Sequence, residues 1–375
     1  MKIPCMNALL LLVLLVMLGA CGKDDDNGSN NPPEEEWPSD SIRVLKDNLQ
    51  YPWEILWGRD NFLWVTERDG RVTKLNPKTG EVAFITTIND VDSRGEGGLL
   101  GMVHHPDFLQ NGYLYVVYNY SSSDGYREKL VRLTYNNSAL VDPQVILDNI
   151  PASNIHNGSR LWITDEVHPR LFMTTGDASN QPSAQDVSSP SGKVLRFNLD
   201  GTIPADNPIA GSPVWSLGHR NPQGLVVAHE KMYASEHGPN IEDEVNIIEK
   251  GRNYGWPSVN GPCTGSEVDF CNANNVKEPI WSSGSSTVAV CGMDYYNNPR
   301  IAVWSNSLLM TTLKDETLYR HQLTADGSGI VSTTTYFRGR WGRLRDVCVS
   351  PAGRVYICTS NGGNDDVIVE ISAPE

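Results

Sequence analysis

The stretch NFLWVTERDGRVTKLNPKTG, residues 61–80, contains two short apolar runs joined by the polar turn Arg68-Asp69-Gly70. Short runs rich in β-branched and aromatic residues, bounded by Gly, Asp and Asn, are typical of paired antiparallel strands. Long amphipathic helical patterns are scarce in the rest of the sequence. This stretch therefore predicts a fold that consists mainly of β-sheet.

The same unit recurs along the chain, and an apolar pair marks each copy. The pairs are Leu63/Trp64, Leu114/Tyr115, Leu171/Phe172, Met232/Tyr233, Leu308/Leu309 and Val355/Tyr356. Six four-stranded units predict an all-β, six-bladed β-propeller over residues 41–375, with no second domain. Residues 41–49 are expected to close the ring by adding a strand to the last blade. A pair of β-sandwiches is the alternative, but six copies favour the propeller.

Composition limits the classes of partner. The 375 residues are 39% hydrophobic and include 33 Gly and 23 Pro, which indicates a folded protein rich in turns. The net charge is −15 and the isoelectric point is near 5.0. A strongly acidic chain is a poor match for nucleic acid or for an anionic membrane surface.

The N-terminus has the pattern of a targeting signal. Lys2 precedes an apolar run at residues 8–16, and the sequence Leu-Gly-Ala then leads to Cys21. This pattern predicts a lipoprotein signal peptide at residues 1–20 with lipid attachment at Cys21, and the run is short for a membrane-spanning helix. An ordinary secretory signal is the alternative. We expect residues 21–40 to be a disordered acidic tether, and the protein to be lipid-anchored in the bacterial cell envelope, periplasmic or surface-exposed.

The predicted location is oxidising, so disulfides are expected. Cys263 and Cys271 bracket a short loop and are the preferred pair. Cys348 and Cys358 lie on two strand-like runs around a turn and could also pair. With Cys291 the number of remaining cysteines is odd, so at least one thiol is left over, and no cysteine spacing typical of a metal site is present.

Propellers place functional side chains on the loops at one end of the central channel. His156 lies in a Gly/Ser turn before a strand, where an imidazole could accept a proton near neutral pH. The alternative is a hydrogen-bonded loop histidine. Glu96 lies in a Gly-rich turn, and Asp177 and Gln181 could contact a hydroxylated substrate. His104 and the adjacent His105 resemble a metal pair, but the Pro-Asp turn that follows favours a structural role.

Residues 214–257 combine features of a cation site and of an anion site. Carbonyl groups freed by Gly238 and Pro239 lie close in sequence to the carboxylates of Asp243 and Glu244, and calcium prefers such oxygen ligands. Arg220 follows His219 and precedes Asn221, which suits a carboxylate ligand.

Three more cations belong to other blades. Lys314 follows one strand, and alternation places Arg343 and Arg345 on the same side of another extended strand. Surface arginines are usually without function, but together with Arg220 these cations could form a site for a multiply charged anion at the channel mouth.

These motifs resemble the soluble pyrroloquinoline-quinone (PQQ)-dependent glucose and aldose sugar dehydrogenases. The matching strings cover most of residues 51–370 in family order: GGLLGMVHHPDF, His156 with GSRL, GKVLRFNLDGTIPADNP, LGHRNPQGL, SEHGPNIEDEVN, NYGWP, NSLLMTTLK and GRLRDV. The resemblance implies a six-bladed propeller that oxidises an aldose. His156 would be the general base that takes the proton of the anomeric hydroxyl while hydride passes to C5 of the quinone.

The resemblance also implies the ligands of the cofactors. Calcium would be bound by the backbone oxygens of Gly238 and Pro239 and would polarise the C5 carbonyl. The carboxylates of PQQ would meet Arg220, Asn221, Lys314, Arg343 and Arg345, and a second calcium would lie near Asp243, Glu244 and Tyr254.

This sequence departs from the glucose enzymes at two positions. Ile155 stands where they have an Asp directly before the histidine, and Glu96 stands where they have Gln. Both changes bear on the choice of sugar. Electrons would leave through a separate acceptor, a quinone or a cytochrome. The alternative functions are a non-catalytic cell-surface propeller that binds carbohydrate or protein, and a calcium-dependent propeller lactonase.

Overall fold

The computed structural model describes residues 37–38 and 40–373, and its strands form six antiparallel four-stranded sheets. Strand β1 (Ile42–Leu49) belongs to the last sheet. The first blade contains β2 (Pro52–Trp57), β3 (Leu63–Glu67), β4 (Arg71–Leu75) and β5 (Val82–Thr87). The second contains β6 (Leu99–His104), β7 (Tyr113–Ser122), β8 (Gly125–Tyr135) and β9 (Leu140–Pro151). The third contains β10 (Gly158–Ile163), β11 (Arg170–Thr175), β12 (Lys193–Asn198) and β13 (Val214–Leu217).

The remaining blades repeat this order. The fourth contains β14 (Pro222–Ala228), β15 (Lys231–Glu236), β16 (Glu244–Ile248) and β17 (Trp281–Ser282). The fifth contains β18 (Val290–Tyr296), β19 (Ser307–Thr312), β20 (Leu318–Leu323) and β21 (Ile330–Tyr336). The sixth contains β22 (Leu344–Val349), β23 (Val355–Thr359) and β24 (Asp366–Ile371), with β1 as its outer strand. The six-bladed propeller and its closing strand are therefore confirmed.

Helices occur only in the connections between strands of the described chain. They are α1 (Phe108–Asn111), α2 (Val268–Asn274) and the 3-10 turns Gln181–Ala184, Gly265–Glu267 and Pro299–Trp304. No helix in residues 37–38 and 40–373 has the length and apolar character needed to cross a membrane. The predicted signal peptide, Cys21 and most of the tether fall in residues 1–36, which lie outside the described residues.

The apolar marker pairs explain how the blades pack. In β7, Leu114 joins the apolar cluster between the first and second blades, and Tyr115 joins the cluster between the second and third. The pair Leu63/Trp64 is divided in the same way. Successive side chains of a strand point to opposite faces, so two adjacent apolar residues are needed where a blade is buried on both faces. The core is accordingly a ring of six clusters, one at each interface between blades.

The innermost strands β2, β6, β10, β14, β18 and β22 surround the channel and all run in the same direction along it. We call the end at which they begin the upper mouth, and the end at which they finish the lower mouth. Each of the six has an irregular register with its neighbouring strand within its first residues. Such bulges increase strand twist and redirect side chains, and here they lie beside the upper mouth.

Arg160 connects several blades across the channel. Its Nη1 lies 2.7 Å from Glu54 Oε1 and 2.8 Å from Asp346 Oδ2, and its Nε donates to the carbonyl of Gln223 at 2.7 Å. The guanidinium also lies over the ring of Trp53, 4.3 Å from its centre. One side chain of the third blade therefore contacts the first, fourth and sixth blades.

The cysteines only partly follow the prediction. Cys263 and Cys271 form a disulfide that ties α2 to the preceding loop. Cys348 and Cys358 do not pair and are buried free thiols, as is Cys291. The reason is strand register, because Cys348 lies opposite Tyr356 in the ladder and not opposite Cys358.

A substitution in one interface cluster tests this packing. Leu114→Ala removes a fully buried side chain and should lower the free energy of unfolding by about 2–5 kcal/mol, through lost burial and a residual cavity. Urea denaturation measures the change. Leu109→Ala is the matched control, because Leu109 is 67% exposed, and it should change stability little. Equal losses from the two variants would contradict this account of the core.

Glu128 gives a pH-dependent test. Burial raises the pKa of this carboxyl to about 8, although Ser159 Oγ donates to it at 2.7 Å. An acid whose pKa is higher in the folded than in the unfolded chain destabilises the fold as pH rises from about 4.5 to about 8. Glu128→Gln removes that penalty, so relative to the wild type it should gain about 2–5 kcal/mol between pH 5 and pH 8. Urea denaturation at both pH values measures the gain, and the exposed Glu81→Gln should show none.

Candidate functional site

The upper mouth brings together candidate functional residues from all six blades. Some lie in the loop that leads into an innermost strand, and others directly follow the second strand of a blade. The first group is Glu96, His156, Arg220 and Arg343, and the second is Arg68, Asp177, His237 and Lys314. The alternating strand direction of a propeller brings both kinds of loop to the same end of the channel.

His156 is held in a fixed orientation. Its Nδ1 lies 2.8 Å from Asp177 Oδ1, and its side chain is 14% exposed. Its backbone has φ of 61°, a left-handed conformation that is rare outside glycine and clusters at functional sites. Gly176 permits this packing, because a Cβ there would lie only 1.9 Å from the carbonyl oxygen of His156. With Nδ1 hydrogen-bonded to the carboxylate, Nε2 is left to accept a proton.

The structure places Asp177, a predicted substrate contact, in the interior beside His156. Its side chain is fully buried, and both of its oxygens already accept hydrogen bonds. Besides His156, it accepts from Trp256 Nε1 at 2.9 Å and from the backbone N–H of Ser179 at 2.8 Å. Asp177 therefore lies behind the imidazole and orients it.

The other two predicted substrate residues remain accessible. Glu96 is partly buried in the loop before β6, and its Oε2 lies 3.4 Å from the backbone nitrogen of His156. Gln181 is exposed at the first position of a 3-10 turn. Glu96 therefore contacts the backbone of His156, while no hydrogen bond or ion pair within the described residues links Gln181 to His156.

Arg220 forms the wall next to this pair. Its Nη1 donates to the carbonyl of His237 at 3.2 Å, its guanidinium lies 5.3 Å from the centre of the Trp256 ring, and its backbone N–H donates to Glu236. Asn221 is buried and accepts from the backbone N–H of Gly158 at 3.1 Å. Asn221 thus fixes the turn that presents His156.

The expectation that Arg343 and Arg345 share one side of a strand is wrong. Strand β22 begins only at Leu344, and its register shifts between Leu344 and Asp346, so Arg343 is exposed in the preceding loop. Arg345 is buried, and its Nη1 contacts Gln223 Oε1 at 2.9 Å and Cys291 Sγ at 3.2 Å.

The donor groups at the upper mouth fit a polyanionic ligand. Within the described chain, the side chains of Lys314 and Arg343 are exposed and make no hydrogen bond or ion pair. The Nε atoms of Arg68, Arg220 and Arg345 are buried and without hydrogen-bond partners. A ligand with several carboxylates could accept hydrogen bonds from all of these unpartnered cationic donors.

Two residues here were not assigned from the sequence. Arg68 donates to the carbonyl of Gly95 at 2.6 Å and lies over the ring of Tyr51. His237 is partly buried, with its Nε2 atom buried and unpartnered, and desolvation lowers its pKa to about 3, so it is neutral. The His-Gly-Pro turn in the sequence could have indicated His237. Arg68 directly follows a strand of the first blade, and only the closed ring of blades brings it to this mouth.

The predicted calcium ligands need one correction. The carboxylate of Asp243 is fully buried and accepts from four donor groups: Gly238 N–H, Thr287 Oγ1, Val288 N–H and Ala289 N–H. It holds one loop against another through these four hydrogen-bonding groups. Among residues 37–38 and 40–373, no three His, Cys, Asp or Glu side chains are arranged to hold a metal ion.

A small cavity beside Gly238 and Pro239 nevertheless suits a cation. It is also lined by Glu236, Glu242, Glu244 and Asn260, and the oxygens Glu242 Oε2 and Asn260 Oδ1 are buried without hydrogen-bond partners. Burial and the neighbouring carboxylates raise the pKa of Glu244 to about 8. The hydroxyl of Tyr254 is engaged with Ile247 and Glu249, so only its backbone could serve as a ligand.

The neighbouring histidines of the second blade have a structural role. His104 is buried and stacks on Phe108 with ring centres 3.7 Å apart. His105 accepts the backbone N–H of Asp107 through Nδ1. The resemblance to a metal pair was therefore misleading, as the Pro-Asp turn had indicated.

The chain is similar to known proteins along most of its length. The family model described as Glucose / Sorbosone dehydrogenase matches residues 49–369. The chain is 31% identical to quinoprotein glucose dehydrogenase B of Acinetobacter calcoaceticus over 86% of each chain. It is 30% identical to aldose sugar dehydrogenase YliI of Escherichia coli, over 87% of this chain and 91% of the relative.

The fold is similar to a solved structure of the PQQ-bound form of an aldose sugar dehydrogenase from Streptomyces coelicolor. The TM-score is 0.75 and the identity 31%, and the alignment covers 89% of this chain and 99% of the other.

Proposed function

The chain belongs to the glucose and sorbosone dehydrogenase family, and on that premise we propose that it oxidises an aldose at C1 to the lactone with PQQ and calcium as cofactors. The observation that carries the proposal is the His156–Asp177 pair, 2.8 Å apart, at a mouth ringed by cationic side chains that keep unpartnered donor atoms. A general base beside a site for a polyanionic cofactor is the arrangement that this oxidation needs.

His156 would act as the base through Nε2. Since Asp177 accepts the hydrogen of Nδ1, the lone pair lies on Nε2, which would take the proton of the sugar hydroxyl as the C1–H hydride leaves. The buried carboxylate then stabilises the imidazolium. Glu96, 3.4 Å from the backbone nitrogen of His156, would accept hydrogen bonds from other sugar hydroxyls.

Bound PQQ would supply the two-electron acceptor for the hydride, and calcium would polarise the accepting carbonyl. Lys314, Arg343 and Arg345 would pair with the cofactor carboxylates, with Arg220 on the adjacent wall. Arg345 is already oriented by Gln223 and Cys291, so it would pay little side-chain entropy on binding.

The carbonyls of Gly238 and Pro239 would be the protein ligands of calcium. The unpartnered oxygens of Glu242 and Asn260 in the adjoining cavity support a cation there, and Glu244 and the backbone of Tyr254 would hold a second calcium. Oxygen-only ligand sets of this kind suit Ca²⁺.

The remaining parts of the proposal depend on the sequence alone. We propose that lipid on Cys21 anchors the protein in the cell envelope and that a quinone or a cytochrome takes the electrons. Metabolic labelling with a fatty acid tests the anchor, because Cys21→Ser should abolish incorporation of the label.

A reconstitution experiment tests the function. The purified chain is mixed with PQQ and Ca²⁺, offered a panel of aldoses, and followed by dye reduction. Turnover that requires both additions supports the proposal, and the panel ranks the sugars. Binding of PQQ without oxidation of any aldose would contradict the substrate class. Absence of PQQ binding would favour a non-catalytic carbohydrate-binding propeller, and hydrolysis of lactones without redox activity would favour a lactonase.

Substitutions of the paired residues test the mechanism. His156→Asn should lower kcat about 10²–10⁴-fold while PQQ still binds, because only proton removal is lost. Asp177→Asn should lower kcat to a similar degree, because an amide N–H facing Nδ1 places the imidazole hydrogen on Nε2. Dye-reduction kinetics and titration of PQQ fluorescence measure the two effects. The exposed Asp47→Asn on β1 is the control, and unchanged kcat in Asp177→Asn would refute the orienting role.

A further inference from the structure

The indole of Trp256 contacts two parts of the proposed site. Its Nε1 donates to Asp177 Oδ2 at 2.9 Å, and the guanidinium of Arg220 lies over its ring, 5.3 Å from the centre. The residue is 7% exposed, so the indole belongs to the interior. Within the described chain, no hydrogen bond or ring contact joins Trp256 to His156. An effect of the indole on the imidazole must therefore pass through Asp177.

Trp256 is anchored independently of Asp177. Its backbone N–H donates to the carbonyl of Gly218 at 3.0 Å, and its carbonyl accepts from Gln185 Nε2 at 2.6 Å. The side-chain amides of Gln185 and Asn253 are also paired with each other, at 2.7 and 3.0 Å. Because these bonds hold the backbone on both sides of the residue, the indole is a fixed point to which the carboxylate of Asp177 is attached.

The turn that carries the indole needs glycine at two places. Gly255, directly before Trp256, has φ of 89°, and a Cβ there would lie 2.7 Å from Val259 Cβ. Gly218 has φ of 80°, and a Cβ there would lie 2.2 Å from Asn253 Oδ1. Left-handed backbone and close packing at these two positions exclude larger residues, so the sequence specifies a tight turn.

The two oxygens of Asp177 are held by different groups. Oδ1 accepts from His156 Nδ1 and from the backbone N–H of Ser179, both at 2.8 Å. Within residues 40–373, the one hydrogen bond to Oδ2 comes from Trp256. Asp177 is fully buried, so loss of that donor would leave a charged oxygen without a partner. The carboxyl group could then rotate or take up a proton, and either change weakens the acceptor that faces Nδ1.

We propose that Trp256 is a positioning residue for the proton transfer: its indole N–H fixes the plane of the Asp177 carboxylate. The carboxylate thereby holds the imidazole hydrogen on Nδ1 of His156 and leaves Nε2 free to accept a proton. The inference rests on the proposed function for its effect on rate, whereas the state of the His156–Asp177 pair can be measured without sugar or cofactor.

The test needs a variant that removes the donor and keeps the ring. Replacement of Trp256 by β-(3-benzothienyl)-alanine does so, because sulfur takes the place of the N–H in a ring of the same shape. Trp256→Phe is a second variant with a smaller ring. The same two replacements at Trp64 are the matched controls, because Trp64 is fully buried and its Nε1 donates to Asp60 at 3.1 Å in another part of the first blade.

The first measurement is the rate at which the hydrogen on His156 Nδ1 exchanges with water, followed by NMR in the ¹⁵N-histidine-labelled chain without PQQ or sugar. The signal is assigned by its absence from His156→Asn. Removing the Trp256 donor should accelerate exchange about 10–100-fold, the usual worth of a hydrogen bond to a charged group. The Trp64 variants should exchange like the wild type.

Unchanged exchange in the Trp256 variants would overturn the proposal, whether or not the chain oxidises a sugar. Accelerated exchange would support it even if no aldose were oxidised, so its failure is distinguishable from failure of the proposed function. The benzothienyl variant keeps a ring face for Arg220, and its affinity for PQQ should therefore change less than about threefold.

The second measurement is a double-mutant cycle on the rate of dye reduction. The benzothienyl variant should lower kcat about 10–100-fold with little change in KM, because the lost interaction acts on proton removal. Combined with Asp177→Asn, the same replacement should lower kcat at most about twofold further, because the carboxylate through which Trp256 acts is already gone. Equal losses in both backgrounds would show that Trp256 acts by another route and would overturn the proposal.

Discussion

The fold depends on how Arg160 is satisfied in the channel. A guanidinium in a protein interior is costly unless its charge and its N–H groups find partners, and here those partners come from three other blades. Glu54, Asp346 and the carbonyl of Gln223 must all be in place together, which fixes the relative position of the blades around the axis. The apolar clusters between blades supply most of the burial, whereas this ionic group specifies how the ring is assembled.

The same constraint separates the two ends of the channel. Above Arg160, the side chain of Gln223 accepts a hydrogen bond from Arg345, one of the cationic residues of the upper mouth. Asn221 accepts a hydrogen bond from the backbone of Gly158 and so fixes the turn that contains His156. Below it lies a cavity that the later residues of the innermost strands line. The loops of the upper mouth can therefore vary in length and chemistry while the strands beneath them stay in place, as is usual where function lies on loops carried by a rigid scaffold.

The sequence was sufficient for the architecture because each blade leaves a local mark, the adjacent apolar pair that is divided between its two faces. It was sufficient to nominate His156 and the cationic residues, because their chemistry is unusual in an acidic chain. It was not sufficient for Asp177 and Asp243, since an exposed and a fully hydrogen-bonded carboxylate look alike in sequence. Register was equally invisible: a bulge separated Arg343 from Arg345, and strand alignment kept Cys348 from Cys358.

The pairing of β1 with β24 has a consequence for how the protein is made. The outer strand β1 of the sixth blade is synthesised before the other described strands, but its partner β24 is synthesised after them. Five blades can form before β24 leaves the ribosome, whereas the ring cannot close until β24 is available. The contact between Arg43 and Glu370 thus joins residues that are 327 positions apart in the sequence. A prematurely terminated chain would expose an unpaired strand edge, the kind of surface that chaperones and proteases act on.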